Sequence, residues 1–227
     1  RTAMACRFEV VMSGEHAAFL GAAQDALGTA HQIEDRLTVF RDSSEVSCLN
    51  ARAARQAVPV SEELFTLLET AARLHAQTGG AFDPTSTPLS KTWGFLRRAG
   101  RLPQEGEIDA ARARTGMAHV ERDKEARTVR FTRPGLELSF GSLGKGHALD
   151  RMAAALRERG VPAALLSAGG SSVLVFGGGQ AGFRVDVTSP RLSRPPLYRL
   201  RLRDAAQATS GAGEQFFEVE GRRFGHV

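Results

Sequence analysis

Ala163-Ala164-Leu165-Leu166-Ser167-Ala168-Gly169-Gly170-Ser171-Ser172-Val173-Leu174-Val175-Phe176 is the stretch on which the fold turns. Its two apolar runs, 163–167 and 173–176, are too short for buried helices and are separated by Gly169-Gly170, so they read as neighbouring buried strands. Just upstream, Leu149, Met152, Ala153 and Leu156 fall at helical spacing. Gly160 and then Pro162 stop that helix, glycine by accepting a left-handed backbone and proline by having no N–H to continue it.

The same logic extends outward in both directions. Phe8, Val10 and Met12 alternate as a strand over 7–12. Leu20, Ala23, Leu27, Ala30, Ile33 and Leu37 form one stripe of a helix predicted over 16–39. Arg41-Asp42-Ser43-Ser44-Glu45 reads as a polar turn. Ser61-Glu62-Glu63 offers a capping hydroxyl and acids at the positive end of a second helix, striped by Leu64, Leu67, Leu68, Ala71 and Leu74 and halted before Gly79-Gly80. Residues 81–103 show no period, and an aperiodic stretch of that length in a compact chain is usually functional. Residues 118–132 read as a hairpin turning through Arg122-Asp123-Lys124-Glu125, Tyr198–Arg203 as a half-exposed strand, and 216–224 as a terminal hairpin. Antiparallel strand pairs around three main helices make the class α+β.

Composition narrows the function classes. The 227 residues are 42% hydrophobic and 24% charged, enough to bury a core without a disulfide or metal staple. No apolar run approaches the roughly 18 residues of a membrane span. The net charge of +5 rests almost wholly on arginine, since Lys91, Lys124 and Lys145 are the only lysines. The basic residues are scattered, with no long basic block and few aromatics for base stacking. A solvated surface is therefore expected, and no nucleic-acid partner. Such a field also favours an anionic small molecule in a cleft. Cys6 and Cys48 fit neither a zinc pattern nor a Cys-x-x-Cys redox motif; they either pair or stay as buried free thiols.

Four segments can carry chemistry, and each also has an ordinary structural reading. Gly141-Ser142-Leu143-Gly144-Lys145-Gly146 opens a helix, where free N–H groups and an early lysine attract phosphate; the alternative is a plain strand-to-helix turn. Gly79-Gly80-Ala81-Phe82-Asp83-Pro84-Thr85 permits close backbone approach and offers a carboxylate; the alternative is an Asx-Pro turn. Gly169-Gly170-Ser171-Ser172 and Thr209-Ser210-Gly211 lie just past strands, where turn amides form anion nests or simply close hairpins. His226 follows a strand end, whereas His16, His31, His75, His119 and His147 are expected to pack or face solvent.

The order of these segments resembles the ApbE-type flavin transferases (FAD:protein FMN transferases), from Met4 to the last residue. The most specific parts are Thr78-Gly79-Gly80-Ala81-Phe82-Asp83-Pro84-Thr85 with Trp93-Gly94-Phe95, and Leu143-Gly144-Lys145-Gly146 with Ala148 and Asp150. Ala168-Gly169-Gly170, Ala208-Thr209-Ser210-Gly211 and Gly221-Arg222-Arg223-Phe224-Gly225-His226-Val227 complete the series. The resemblance implies one ApbE-like domain over 1–227, two-lobed and C-terminally incomplete. It also implies an exported bacterial protein, periplasmic or held at the inner membrane by a lipid anchor outside this sequence. Its reaction would move FMN from FAD, with Mg2+, onto a Thr or Ser hydroxyl of a redox subunit and release AMP. The alternatives are hydrolysis of FAD to FMN and AMP, and a catalytically impaired FAD-binding protein.

By the same resemblance, Met4 and Phe40 line the flavin or adenine pocket, with Phe40 where the family often has Tyr. Asn50 is a pocket residue, Ala81, Phe82 and Asp83 contact the dinucleotide, and Thr209 belongs to the same set. Lys145 lies near the ligand, and Ser142 supplies an oxygen to the metal. His226 takes the proton of the attacking hydroxyl. Ser139 is counted with the cofactor-binding residues and stands where the family usually has Asp. The family continues past the position of Val227 with Asp-Pro-x-Thr-Gly and further metal ligands.

Overall fold

A computed structural model of the chain describes residues 1–97, 99–188, 195–211 and 216–225. In chain order the strands and helices are β1 Thr2–Ala3, β2 Cys6–Val11, α1 Leu20–Leu37, α2 Glu45–Arg52, β3 Val58–Pro59, α3 Glu62–Gln77, α4 Thr87–Thr92, α5 Glu107–Arg112, β4 Val120–Asp123, β5 Thr128–Phe131 and α6 Gly144–Glu158. Then follow β6 Ala164–Ala168, β7 Ser172–Phe176, β8 Phe183–Val187, β9 Tyr198–Leu202, β10 Ala205–Ala208, β11 Phe216–Val219 and β12 Arg222–Gly225. Every described ladder is antiparallel, as the expected α+β class requires. The chain divides into two compact units, Arg1–Glu34 with Gly144–Ser210, and Asp35–Leu143 with Gly211–Val227. Among the described residues no helix is long and apolar enough to cross a membrane.

The first unit is built on a five-stranded sheet in the order β1-β2-β6-β7-β10. The Gly169-Gly170 turn sets Ala168 opposite Ser172 and Leu166 opposite Leu174, while β2 enters on the other edge of β6 with Phe8 opposite Ala168. Helix α6 lies against β6 and β7, burying Leu149, Met152, Ala153 and Leu156 with Leu166, Val173 and Val175. Each fully buried Leu, Met or Val contributes about 1.5–3 kcal/mol of burial free energy. The helix stops as expected: Gly160 has φ 78°, its N–H reaches Arg157 O and the Val161 N–H reaches Leu156 O at 3.0 Å. This pair of bonds satisfies carbonyls that the helix end would otherwise orphan.

The α1 reading needs correcting. Residues 14–19 wind as a 3-10 turn capped by Ser13, and the α-helix begins only at Leu20. Leu20 is therefore the first residue of the α-helix, at its frayed start rather than within the stripe. Leu20 is consequently 60% exposed, while Ala23, Ala26, Ala30 and Ile33 are buried.

The second unit packs α2 and α3 with the three-stranded sheet β3-β5-β4 around Val46, Leu49, Leu64, Leu68, Val129, Phe131, Leu138 and Phe140. Ser61 caps α3, its Oγ accepting from the Leu64 N–H at 3.2 Å and donating to Glu45 Oε2 at 2.9 Å. Helix α2 was not expected: eight residues, half of them polar, carry too little period to announce themselves. Its signal was Ser44, whose buried Oγ accepts from the Ser47 N–H at 3.0 Å. The 120–131 hairpin turns two residues later than expected, because Arg122 and Asp123 pair with Val129 and Thr128.

The aperiodic 81–103 stretch holds α4 and then an aromatic cluster with the terminal hairpin. Phe217 and Phe224 face each other across β11 and β12 with ring centroids 5.3 Å apart, and Trp93 lies 5.7 Å from Phe224. Gly100 is obligatory there: a Cβ would come within 2.1 Å of the Phe217 ring. Cys6 and Cys48 are both free, and neither is buried: Cys6 is half-buried and Cys48 exposed.

Candidate functional site

The expected site residues fall into a group in each unit. In the second unit, α3 ends by the same device as α6. Gly79 and Gly80 take φ of 60° and 86°, and their N–H groups return to Ala76 O and His75 O. The chain then doubles back along the last turn of α3. Thr78 Oγ1 donates to Leu74 O at 2.8 Å and accepts from the Phe82 N–H at 3.1 Å.

This reversal lays the Phe82 carbonyl on the ring of His75, 2.8 Å from Nδ1. A carbonyl oxygen only accepts, so Nδ1 carries the hydrogen and Nε2 is the free basic nitrogen. Asp83 Oδ2 lies 3.8 Å from the same Nδ1. His75 is thus a member of this group rather than a packing or solvent-facing residue. The readable signal was its place one turn before Gly79-Gly80.

Asp83 Oδ1 accepts from the Thr85 N–H at 2.8 Å and from Thr85 Oγ1 at 2.6 Å, an Asx turn closed by its own side chain. Thr85 is fully buried, and its Oγ1 in turn accepts from the Gly116 N–H at 2.6 Å. Pro84 O accepts from the Ser139 N–H at 2.9 Å. Asn50 spends its amide on the same strip: Nδ2 donates to Leu138 O and Oδ1 accepts from the Leu138 N–H, each at 2.9 Å. Asn50, Phe82, Asp83 and Ser139 are therefore brought together through backbone bonds, with Asp83 Oδ2 left for a further partner.

Phe82 joins that network through its backbone only, and the side chains of the remaining expected residues of this unit stand apart from it. The Phe82 ring packs against the core, Ala81 is exposed, and Phe40 is 67% exposed, a free aromatic face. Ser142 is exposed on the turn before α6. His226 lies outside the described residues.

In the first unit Lys145, in the opening turn of α6, donates from Nζ to Ser171 Oγ at 2.8 Å. Ser171 O accepts from the Thr209 N–H at 2.8 Å, and the Gly170 N–H donates to Ser167 Oγ at 3.2 Å. Gly169 and Gly170 have φ of 63° and 67°, and a Cβ on Gly169 would press within 2.8 Å of Cys6 Cβ. Met4 closes over Gly144, its sulfur 3.7 Å from where a Cβ of that glycine would project. Met4 and Ala5 form the β1–β2 turn with φ of 50° and 56°, a left-handed pair that normally selects Gly or Asn. Burial pushes the Cys6 thiol up, Lys145 partly offsets this, and Glu34 adds to it. Met4, Lys145 and Thr209 thus share one corner at the start of α6, with an ammonium that gives one of its three N–H groups to Ser171. That corner suits a phosphate oxygen.

A magnesium ion asks for several hard oxygen ligands with carboxylate charge among them. Among the described residues no three His, Cys, Asp or Glu side chains gather as a metal site. Ser142 alone offers a hydroxyl, so the described residues do not fit a magnesium centre by themselves.

The chain belongs to the ApbE family, whose family model matches residues 4–227. A Klebsiella pneumoniae protein named FAD:protein FMN transferase is 31% identical over 194 residues, 86% of this chain and 60% of that protein. A Rhodobacter capsulatus protein of the same name is 32% identical over 189 residues, 81% of this chain and 35% of its own length. The chain thus spans about 60% of the first of these relatives. The ApbE protein of Thermotoga maritima superposes with a TM-score of 0.91 at 27% identity, over 100% of this chain and 74% of that one. The flavin transferase ApbE of Vibrio cholerae superposes with a TM-score of 0.81 at 25% identity, over 98% and 73%.

Proposed function

We propose that this chain binds FAD and serves covalent flavinylation, transferring FMN from FAD to a Thr or Ser hydroxyl of a flavin-accepting redox protein and releasing AMP. The observation that carries this reading is the family match across residues 4–227, joined to relatives named FAD:protein FMN transferase. In the proposed step the acceptor oxygen forms a bond to the phosphorus on the FMN side of the pyrophosphate. The bond from that phosphorus to the bridging oxygen breaks, and AMP carries the bridging oxygen away. The hydroxyl proton passes to His226.

Lys145 and the α6 amides offset pyrophosphate charge, and the left-handed Gly169-Gly170 turn leaves room for a phosphate to approach the backbone. Asp83 Oδ2 accepts from a ligand N–H or O–H, and Phe40 supplies a stacking face. Magnesium belongs to the proposed reaction by family resemblance, with Ser142 as this chain's contribution. The proposed setting is the periplasm or the outer face of the inner membrane of a bacterium.

A second reading, FAD binding without turnover, is favoured by Ser139 in place of the family's usual Asp and by the lack of a gathered carboxylate set among the described residues. Calorimetry with FAD, with and without Mg2+, and a transfer assay on the full-length gene product separate the two. Mass gain of one FMN on an acceptor protein supports transfer. FAD binding with no modified acceptor and no AMP supports the second reading. AMP and FMN in solution without acceptor labelling mark hydrolysis, and no FAD binding overturns all three.

A further inference from the structure

The second unit also holds a polar cavity that none of the residues above line. It measures about 220 Å3 and is bounded by Pro88, Lys91 and Thr92 of α4, by Arg101, by Arg114 and by Glu137. Three cations and one carboxylate from four separate segments meet there.

Two of the cations have partners. Lys91 Nζ donates to Glu137 Oε1 at 2.7 Å. Arg101 makes a two-pronged pair with Glu107, at 2.8 and 2.9 Å. Arg114 differs. Its Nε donates to Ala110 O at 3.1 Å, and among the described residues no carboxylate lies within ion-pair reach of its guanidinium. Its stem also occupies a place kept open by the backbone: Gly135 has φ 76°, and a Cβ there would stand 2.7 Å from Arg114 Cδ. A side chain at 135 would displace the arginine from the cavity wall.

Counting Glu107 with the lining residues, three cations face two carboxylates, and the unmatched charge is the guanidinium of Arg114. A guanidinium presents parallel N–H donors whose spacing matches two oxygens of a phosphate or carboxylate, which is why an unmatched one in a concave site selects oxyanions. We propose that this cavity binds a small oxyanion, a phosphoryl or carboxylate group, through Arg114, with Arg101 and Lys91 supplying the flanking charge. The site is separate from the Lys145 corner and does not depend on the flavin reading.

The test is calorimetric titration of the intact chain with inorganic phosphate and, separately, with malonate, each against sodium chloride at matched ionic strength. Saturable one-site binding is expected, weakened about tenfold or more in Arg114→Gln, the loss of a charge-assisted pair of bonds. It should be partly retained in Arg114→Lys, which keeps the charge and loses the fork. Phosphate binding alone assigns a phosphoryl ligand, malonate binding alone a carboxylate, and both the shared oxyanion chemistry. Binding that survives Arg114→Gln but disappears in Lys145→Ala places the anion elsewhere and overturns the proposal. So does the absence of saturable binding by either probe. Thermal unfolding of each variant checks that Arg114→Gln has not simply loosened the unit.

Discussion

His75 donates from Nδ1 to the carbonyl oxygen of Phe82 at 2.8 Å, tying the last turn of α3 to the segment that carries Asp83. The bond needs the reversal at Gly79-Gly80, since only a left-handed pair returns the chain along its own helix so tightly.

Replacing His75 by Ala removes this tie and leaves Phe82 O short of a donor. The expected cost is about 1–2 kcal/mol of stability, with FAD affinity falling several-fold. Asn, whose amide N–H can stand in for Nδ1–H, should recover part of both. Chemical denaturation and FAD calorimetry on the two variants check this; an Ala variant with unaltered FAD affinity would remove His75 from the site.

Lys145→Ala and Asp83→Ala should each weaken FAD binding about tenfold, the worth of one charge-assisted hydrogen bond. Their stabilities should differ. Asp83→Ala also strips two bonds from buried Thr85, whereas Lys145→Ala strips one from half-buried Ser171. Unchanged affinity in both variants would discredit the two groups as FAD ligands.

Ala5 sits at φ 56° in a two-residue turn. Glycine carries no Cβ penalty there, so Ala5→Gly should stabilise the chain by up to about 1 kcal/mol, a rise of about 2–4 °C in Tm for a chain of this size. A lower Tm would show that the turn is not left-handed.

Cys48 should react with an aromatic disulfide well before Cys6 at neutral pH, because Cys48 is exposed while burial holds the Cys6 thiol protonated. Lys145→Ala should slow Cys6 further, since the ammonium is what partly lowers its pKa. Mass spectrometry of timed samples, locating the label, distinguishes the two sites. Equal rates would contradict the partial burial of Cys6.

Glu107 titrates at about 2, held down first by the Arg101 hydrogen bonds and then by the Gln104 N–H. The folded carboxyl releases its proton more readily than the unfolded one. The clamp therefore contributes stability above the ordinary glutamate pKa and loses it as pH falls toward 2. Carboxyl NMR of Glu107 should show no midpoint between pH 3 and 7, and Arg101→Gln should bring the midpoint back toward 4.5, the ordinary value. A midpoint near 4.5 in the unaltered protein would mean that the clamp is not formed.

How much of this was legible depended on range. Signals confined to one or two turns were readable: Ser61 at the start of α3, Gly79-Gly80 and Gly160 at helix ends, and the hairpins of 120–131, 164–176 and 216–225. Local signals of low amplitude were not, among them α2, α5 and β8, which are short and largely polar or half-exposed. Ser44 announced α2, but a hydroxyl before a polar run also fits a plain turn. In α1 periodicity placed the helix but misjudged Leu20, because the period marks a face and not the residue at which the α-helix starts.

The sequence by itself determined where α3 begins, where α3 and α6 stop, and which strands are joined by tight turns, and it singled out Gly-Lys-Gly and Gly-Gly-Ala-Phe-Asp-Pro-Thr as candidate segments. Caps, turn glycines and apolar period act over a few residues, so the chain states them directly. Only the tertiary structure decided that β2 lies beside β6, that Ser171 receives Lys145, that Asn50 clasps Leu138, and that His75 joins Asp83. Those pairings follow from burial and hydrogen bonding between distant parts of the chain, where many partners satisfy the same local pattern and packing selects one.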